Sequence, residues 1–418
     1  MTHLVSIDQL KVGIYIHLDL HWMEHPFGFG SFKIKSDEQI MTLRTLGLKQ
    51  VRYEPRKSDV APAPAPAAPS ATDPAPPLPA ADDPLLLAKR EHQERLRRQR
   101  EAIARVEKNF HNAANTVRNL QQALQTRPAQ SVADSAALVD QLVTEFLADN
   151  EVTIHAIGGR PGGAELYVHT LNVAVLCLLV AKELQLPAPA ARLLGLGALF
   201  HDIGLLEVSS RILRNTDPLT APERAAREMH CAYGLARAKT LGLAPEVQKI
   251  VAQHHELADG SGYPRKLKGE AIAPLARIVA LVNQYDNLCN PVNIARALTP
   301  HETLSHIFTQ QKTKFDARVM QSLIRCLGVY PPGTVVTLSN DAVCMVTSVN
   351  ASRPLKPTVL VYDAKTARHE PMILDLKDEA DINIKKALRP AQLAPEILEY
   401  LAVRSRVSYF FDTSTVTQ

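Results

Sequence analysis

A segment rich in proline and alanine divides this chain of 418 residues into parts that must fold separately. Residues 60–84 consist almost entirely of Ala, Pro and Asp. Proline at this density can continue neither a helix nor a central strand, and the segment has too few large apolar side chains to bury a core. We therefore predict a semi-rigid linker over 58–84 and a chain of several domains.

The residues before the linker, 1–57, have the pattern of a small α+β domain. Residues 12–20 are rich in β-branched and aromatic side chains, which predicts a strand. Ser36 begins a predicted helix and Gln39 stands in the capping-box position. The apolar face of this helix and a second short strand are indicated by Ile40, Leu43, Leu46, Val51 and Tyr53.

A long helix is predicted over 85–128, directly after the linker. From Ile103 to Leu124 its apolar residues alternate at spacings of three and four, which is an a/d seam of about three heptads. Two interpretations remain open at this point. The seam either forms a parallel coiled coil in a homodimer or packs against the chain's own next domain.

The remaining chain is predicted to be mainly α, with a small β-rich extension. Apolar residues recur at helical spacing through 129–330, which reads as almost entirely helical. After Pro331 the period becomes strand-like, so 331–418 is predicted to be β-rich, with a hairpin turn at Asn340 and Asp341.

The composition restricts which binding partners and which cellular compartment are expected for this chain. The formal net charge of +4 is small for this length and calls for neither a nucleic-acid polymer nor a membrane as partner. The apolar run 171–180 is too short to cross a bilayer, so a buried helix is predicted there. Five cysteines without a C-x-x-C pair argue against a disulfide framework, and the N-terminus lacks a signal-peptide pattern. A cytoplasmic protein is expected.

Histidines and carboxylates cluster within the predicted helical region. His201 and Asp202 are adjacent, and Glu165 and His169 stand four apart, which places both on one side of a helix. His230 lies in a polar helix, and His254 and His255 precede a glycine-rich turn. Imidazole and carboxylate ligands suit iron and manganese. Two such metals about 4 Å apart can activate water and stabilise the leaving oxygen of a phosphodiester.

The order of these motifs resembles the HD-GYP family of the HD superfamily. The signature H-H-E-x-x-D-G-x-G-Y-P is complete from His254 to Pro264, and the resemblance covers 131–330. Residues 1–57 resemble the small domain of unknown function that often precedes HD-GYP domains. The family resemblance implies a helical HD-type bundle that holds two or three divalent ions, iron or manganese. It further implies hydrolysis of cyclic di-GMP to pGpG or GMP in bacterial signalling.

The resemblance also implies roles for individual residues. Asp202 and His201 would be catalytic, with Asp202 bridging two ions, and Tyr263 would lie close to the nucleotide. Gly262, Arg265, Lys268 and Asp286 complete the predicted substrate contacts, and Asp286 could alternatively support a metal ligand. The metal ligands implied by the motif are Glu165, His169, His201, Asp202, His230, His254, His255 and Asn283.

Four positions depart from the family pattern. Leu205 replaces the lysine of the HD box, and Asn283 replaces an aspartate ligand with a neutral carbonyl oxygen. Val292 and Ala295 stand where the family carries basic residues that grip the dinucleotide phosphates. The metal shell is therefore mostly kept and the phosphate grip partly lost. We expect a phosphodiesterase whose turnover is slowed by these departures from the family pattern. The alternative is a signalling module that acts through protein partners or nucleotide sensing.

Overall fold

The computed structural model describes residues 2–20, 25, 27, 30–63, 84–148, 152–157, 165–350, 353–364, 366, 371–379, 381–403 and 406–413. Residues 84–93, 95, 96, 99, 148, 152, 165, 166, 350 and 413 are described by their backbone only. The chain forms two compact units. One comprises Met1–Glu101 with Val361–Leu374, and the other comprises Ala102–Leu360 with Asp375–Gln418.

The first unit contains a four-stranded antiparallel sheet and one short helix. The elements are β1 His3–Ser6, β2 Tyr15–His17, β3 Ser31–Lys33, α1 Asp37–Thr45 and β4 Gln50–Tyr53. The strands lie in the order β1-β4-β2-β3. Ile14, Ile16 and Leu43 are completely buried and form the centre of its core.

The strands and the helix predicted for this unit are present, but one contact of the helix cap and the length of one strand differ from the prediction. Ser36 caps α1, since its hydroxyl accepts from the amide of Gln39. The side chain of Gln39 accepts from the amide of Lys35 instead of closing a capping box on Ser36. The predicted strand 12–20 is shorter than expected, because Gly13 adopts a positive φ of 97° in a turn just before β2. The linker 58–84 lies mostly outside the described residues.

The long predicted helix is present, and its apolar seam is buried within this chain. Helix α2 spans Pro84–Ala123, and α3 follows at Pro128–Ala148. The seam residues Val106, Phe110 and Val117 are at most 4% exposed and belong to the core of the second unit. Phe110 packs edge-to-face on Phe410 with ring centroids 6.0 Å apart. Of the two interpretations left open by the sequence, the structure supports packing against the chain's own next domain, since the surface that a parallel dimer through this seam needs is already covered.

The second unit is built mainly from helices. They are α4 Glu165–Glu183, α5 Ala188–Phe200, α6 Ser210–Leu213, α7 Ala221–Glu228, α8 His230–Thr240, α9 Pro245–Gln253, α10 Pro274–Cys289, α11 Pro300–Gln310 and α12 Ala317–Leu327. Helix α4 lies at the centre and packs against α3, α5, α10 and α12. Its run 171–180 is at most 2% exposed, which confirms the prediction of a buried helix. Among the described helices, none has the length and apolar character needed to span a bilayer.

Strands at both ends of the helical region complete the fold. They are β5 Val152–Ile157, β6 Val335–Leu338, β7 Val343–Asn350, β8 Thr358–Val361, β9 Met372–Asp375, β10 Ile384–Leu388 and β11 Ser408–Thr413, with a last short helix, α13 Pro395–Tyr400. The predicted hairpin is confirmed as β6 and β7, with Asp341 at a φ of 66° in its turn. The strands β10, β6, β7, β5 and β11 are neighbours in that order.

Strand β5 corrects the prediction that 129–330 is almost entirely helical. Its six residues pair with β11, and three of them also pair with β7 on the other side, both antiparallel. The pairing partners lie about 200 residues or more further along the chain, so local periodicity could not reveal them. The mainly α fold with small β-rich parts at both ends is nevertheless the one that the sequence predicts.

We expect Phe110→Ala to lower the free energy of unfolding by about 3–5 kcal/mol, because it removes a buried aromatic side chain from the core. Lys108→Ala, exposed on the same helix, is the control and should change it by less than about 0.5 kcal/mol. Urea denaturation measures both values. A fully stable Phe110→Ala variant whose mass halves in light scattering would contradict an intramolecular seam.

Candidate metal centre

The candidate site forms where helices of the second unit end. His201 and Asp202 directly follow α5, His230 begins α8, and His254 and His255 directly follow α9. His169 lies in the second turn of α4. Helix ends bring side chains from separate helices to one point without interrupting the packed bundle. The chain after Asp202 approaches α8 closely because residue 204 is glycine: a Cβ there would lie 2.0 Å from the carbonyl oxygen of His230.

The carboxylate of Asp202 lies between two sets of histidines. Its Oδ2 is 3.3 Å from Nε2 of His201 and 3.8 Å from Nε2 of His169. Its Oδ1 is 3.4 Å from Nε2 of both His230 and His254. The ligand atoms of His255 belong to this second set. One carboxylate thus offers one oxygen to each of two potential cation sites.

Backbone carbonyls orient three of these imidazoles in the same way. Nδ1 of His201, His230 and His254 lies 2.7–2.9 Å from the carbonyl oxygen of the residue three positions earlier. A carbonyl oxygen only accepts, so each Nδ1 carries the proton that it donates. The Nε2 atoms that face Asp202 therefore carry lone pairs, which is the tautomer that a metal ligand needs.

These lone pairs test whether a metal ion fits. Nε2 of His230 and Nε2 of His254 are 3.2 Å apart, with no proton available to join them if both rings are neutral. Two nitrogens bound at about 2.1 Å to one ion, at an angle of roughly 100°, would be about 3.2 Å apart. Nε2 of His201 is buried and makes no hydrogen bond. One divalent cation would satisfy Nε2 of His230 and of His254, and a second would satisfy Nε2 of His201.

Electrostatics also favour a cation. Burial lowers the pKa of His254 to about 4 and that of His255 well below its usual value, so both rings are neutral at pH 7. Burial opposes the charge of Asp202, but the surrounding histidines, His201 foremost, keep its pKa well below the ordinary range. At His169, burial is outweighed by the carboxylates of Asp286 and Asp202, which raise its pKa. Neutral His254 and His255 beside an ionised Asp202 are in the protonation states in which metal ions are bound, whereas His169 would release a proton on binding a metal.

The glycine-rich turn packs directly against this site. The ring of Tyr263 stacks on His255 with centroids 4.6 Å apart and planes at 20°. The buried carboxylate of Glu256 accepts from the amides of Arg265 and Leu267 at 2.7 and 2.8 Å. Two hydrogen bonds to one charged group hold the turn over the histidines.

Two residues predicted to bind substrate have structural roles instead. A Cβ on Gly262 would lie 2.4 Å from both the carbonyl oxygen of His255 and the amide nitrogen of Leu257. Glycine is needed there for close backbone approach, and the residue is buried. Asp286 is fully buried, and its carboxylate accepts hydrogen bonds from the side chains of His169, Asn172 and Asn290. Neither residue offers a surface to a nucleotide.

The other predicted positions differ in their surroundings. Asn283 is buried, and its amide oxygen accepts from Asn287 at 2.7 Å. Arg265 and Lys268 are exposed next to the turn, with the side chain of Lys268 lying over Gly260. The side chain of Glu165 lies outside the described residues, although the backbone of α4 begins there.

The four departures divide into buried and exposed positions. Leu205 is only 8% exposed and packs within the short 3-10 helix Ile203–Glu207. Asn283 is also buried. Val292 and Ala295 are exposed, and neither side chain carries a positive charge that could bind a phosphate.

Sequence reasoning missed two residues that organise the site. Glu256 is part of the recognised signature, but its hydrogen bonds to the turn were not foreseen. Asn172 is completely buried in α4 and donates to the carboxylate of Asp286. Its signal was available: it is a polar residue within an otherwise apolar helical run, where a buried amide needs partners.

We expect Glu256→Gln to loosen the turn, because a neutral amide has one acceptor oxygen where the carboxylate has two. The loss of one charge-assisted hydrogen bond should lower the free energy of unfolding by about 1.5–3 kcal/mol. Hydrogen exchange at the amides of Arg265 and Leu267 should accelerate, while exchange in α12 should not. Unchanged exchange at both amides would contradict this role.

Comparison with known proteins identifies three regions. Residues 3–135 match DUF3391, a domain of unknown function, residues 114–319 match an HD domain, and residues 335–396 match a KOW domain associated with HD domains. Among curated proteins, "Cyclic di-GMP phosphodiesterase PA4108" of Pseudomonas aeruginosa is 27% identical over 380 residues, which cover 87% of this chain and 85% of that protein.

Two further relatives align over the HD region. The "Cyclic di-GMP phosphodiesterase response regulator RpfG" of Xanthomonas campestris is 31% identical over 41% of this chain and 45% of its own length. "3'3'-cGAMP-specific phosphodiesterase 3" of Vibrio cholerae is 29% identical over 39% of this chain and 35% of its own length. The His-Asp pair, the converging histidines and these matches agree that residues 114–319 of the chain contain an HD domain, with a DUF3391 domain in front of it.

Proposed function

We propose that this protein is a metal-dependent phosphodiesterase of the HD-GYP type that hydrolyses cyclic di-GMP to pGpG or GMP. The observation that carries the proposal is the position of Asp202, with one carboxylate oxygen facing each of two histidine sets. That arrangement suits a pair of cations acting on one phosphodiester. Several relatives are named as cyclic di-GMP phosphodiesterases, which supports cyclic di-GMP as the substrate.

The proposed cofactors are two divalent ions, iron or manganese. His169, His201 and Asp202 would hold one ion, and Asp202, His230, His254 and His255 would hold the other. Glu165 is the further ligand proposed from the family motif. Asn283 would support a third ion weakly, since its amide carries no charge. Bound metals would activate water and neutralise charge on the phosphodiester.

The chain's own residues would prepare the site for this reaction. Asp202 stays ionised and fixes both histidine sets around one carboxylate. Tyr263 stacks on His255 and would border the nucleotide. Arg265 and Lys268 are exposed beside the same turn and would meet phosphate oxygens. They would partly replace the charges that Leu205, Val292 and Ala295 do not provide.

A second candidate function rests on those missing charges. Val292 and Ala295 are exposed where the HD-GYP family carries phosphate-gripping basic residues, and Leu205 is buried in an apolar setting. A site of this kind would bind a dinucleotide weakly and turn it over slowly. The protein would then act as a signalling module that senses a nucleotide or binds protein partners.

The proposed organisation is that of a cytoplasmic signalling protein in five segments. They are a small domain at 1–57, a linker at 58–84, a long helix at 85–128, the catalytic domain at 129–330 and a β-rich extension at 331–418. All five cysteines are buried free thiols, which suits a reducing compartment.

We expect Mn²⁺ to raise the melting temperature of the wild-type protein, because a ligand that binds only the folded state at 100 times its Kd adds about 2.7 kcal/mol of stability. Asp202→Asn should abolish most of this rise, since it removes the charge shared by both sets. Asp217→Asn changes an exposed carboxylate outside the site and should keep the full rise. An equal rise in all three proteins would contradict the proposed centre.

We expect the metal-loaded protein, purified without oxygen, to hydrolyse cyclic di-GMP faster than 3'3'-cGAMP at equal concentration. Asp202→Asn should lower the rate by about 100-fold or more, as expected when several kcal/mol of charge stabilisation are lost. Product chromatography measures both activities. Metal-loaded wild-type protein that binds cyclic di-GMP without cleaving it would support the signalling module instead.

A further inference from the structure

The carboxylate of Asp286 is fully buried behind the metal centre and is held by three donors. Its Oδ2 accepts from Nδ1 of His169 at 2.6 Å. Its Oδ1 accepts from the side-chain amides of Asn172 at 2.9 Å and Asn290 at 3.0 Å. A buried carboxylate is tolerated only when such partners compensate its lost hydration. The orientation of His169 therefore depends on what fixes these two asparagines.

The backbone of the C-terminal strand fixes both asparagines. The second amide proton of each asparagine goes to the carbonyl oxygen of Val407, at 3.2 Å from Asn172 and 2.8 Å from Asn290. The amide oxygen of Asn290 accepts from the amide of Val407 at 2.8 Å, and that of Asn172 accepts from the amide of Tyr409 at 3.1 Å. Both protons and the oxygen of each side-chain amide are thus used.

The strand can make these bonds because, among the described strands, only β5 pairs with it, which leaves its other edge available. Strand β11 is the last in its path through the sheet and pairs with β5 on one side. Val407 and Tyr409 are two residues apart, so their backbone groups point to the same edge. The asparagines bind that edge in place of another strand. A further contact joins the same elements, since the buried hydroxyls of Tyr285 and Tyr409 are 2.8 Å apart.

His169 differs in this respect from the other oriented histidines. His201 and His254 use a carbonyl of the helix that they follow, and His230 uses the carbonyl of Arg227 in the preceding helix α7. His169 uses Asp286 of α10, which in turn depends on a strand more than 230 residues away from His169 in sequence. Loosening β11 should therefore disturb the set of His169, His201 and Asp202 and leave the set of His230, His254 and His255 intact.

We propose that β11, through Asn172, Asn290 and Asp286, positions His169 and thereby controls the binding of one of the two metal ions. The C-terminal segment is then a part of the metal centre, and any event that displaces it lowers the occupancy of that ion. This inference rests on the proposed metal centre but not on which nucleotide is cleaved.

The test is a titration of the full-length apoprotein with Mn²⁺ alone, followed by calorimetry and by elemental analysis after dialysis. We expect two ions in the wild-type protein. In Asn290→Ala and in Asn172→Ala, one ion should keep its affinity and the other should bind about 10–100-fold more weakly. Asn119→Ala, exposed on α2, is the control and should bind both ions as the wild type does.

The possible outcomes separate this inference from the proposed function. Two unchanged ions in a cooperatively folded Asn290→Ala variant would overturn the role of β11 while leaving the metal centre in place. A wild-type protein that binds no Mn²⁺ would overturn both. If Asn290→Ala lost nucleotide hydrolysis but bound Mn²⁺ as the wild type does, the result would contradict the role of β11 in positioning His169. The loss would then concern the proposed hydrolysis and not metal binding.

A second measurement needs no variant. Coupling between two sites is reciprocal, so if β11 strengthens metal binding, bound metal must stabilise β11. Hydrogen exchange at the amides of Val407 and Tyr409 should slow when Mn²⁺ is added to the wild-type protein. Unchanged exchange at both amides, with the ions bound, would overturn the proposal.

Discussion

The arrangement of the second unit depends on one buried interaction, the contact of the Asp202 carboxylate with histidines on both of its oxygens. A buried carboxylate without compensation would be very costly. Helices α4, α5, α8 and α9 contribute the histidines of the two sets from their ends or first two turns. The packing of these helices therefore serves one charged group as well as the apolar core.

The chain orients most of its imidazoles by a local device. When a histidine lies within one turn of a helix end, a carbonyl three residues earlier is left within reach of its Nδ1. His201 and His254 follow their helices directly, and the carbonyls of Ala198 and Val251 accept from them. The tautomer needed for metal binding is thus set by the helix itself. Only His169 of the four requires a partner that is distant in sequence.

The ligand set and the phosphate-binding surface are physically separable. His201, His230 and His254 are buried near helix ends, while Val292 and Ala295 lie on the exposed chain after α10. Substitutions at the exposed positions remove charge without disturbing the core. Leu205 is different, because it packs in the interior, where an unpaired lysine would be costly. A chain can therefore keep a metal site while its grip on a dinucleotide weakens.

The sequence by itself determined the mainly α fold, the long helix, the buried helix at 171–180 and the hairpin at Asp341, since each leaves a local pattern of spacing or turn residues. It also identified the histidines and Asp202 through a signature of consecutive residues. Only the tertiary structure decided that the 103–124 seam is intramolecular, that β5 joins strands some 200 residues away, and that Asp286 serves His169 rather than substrate. These features depend on contacts between residues far apart in the chain, and local periodicity carries no information about which distant partner a buried surface or a strand edge will find.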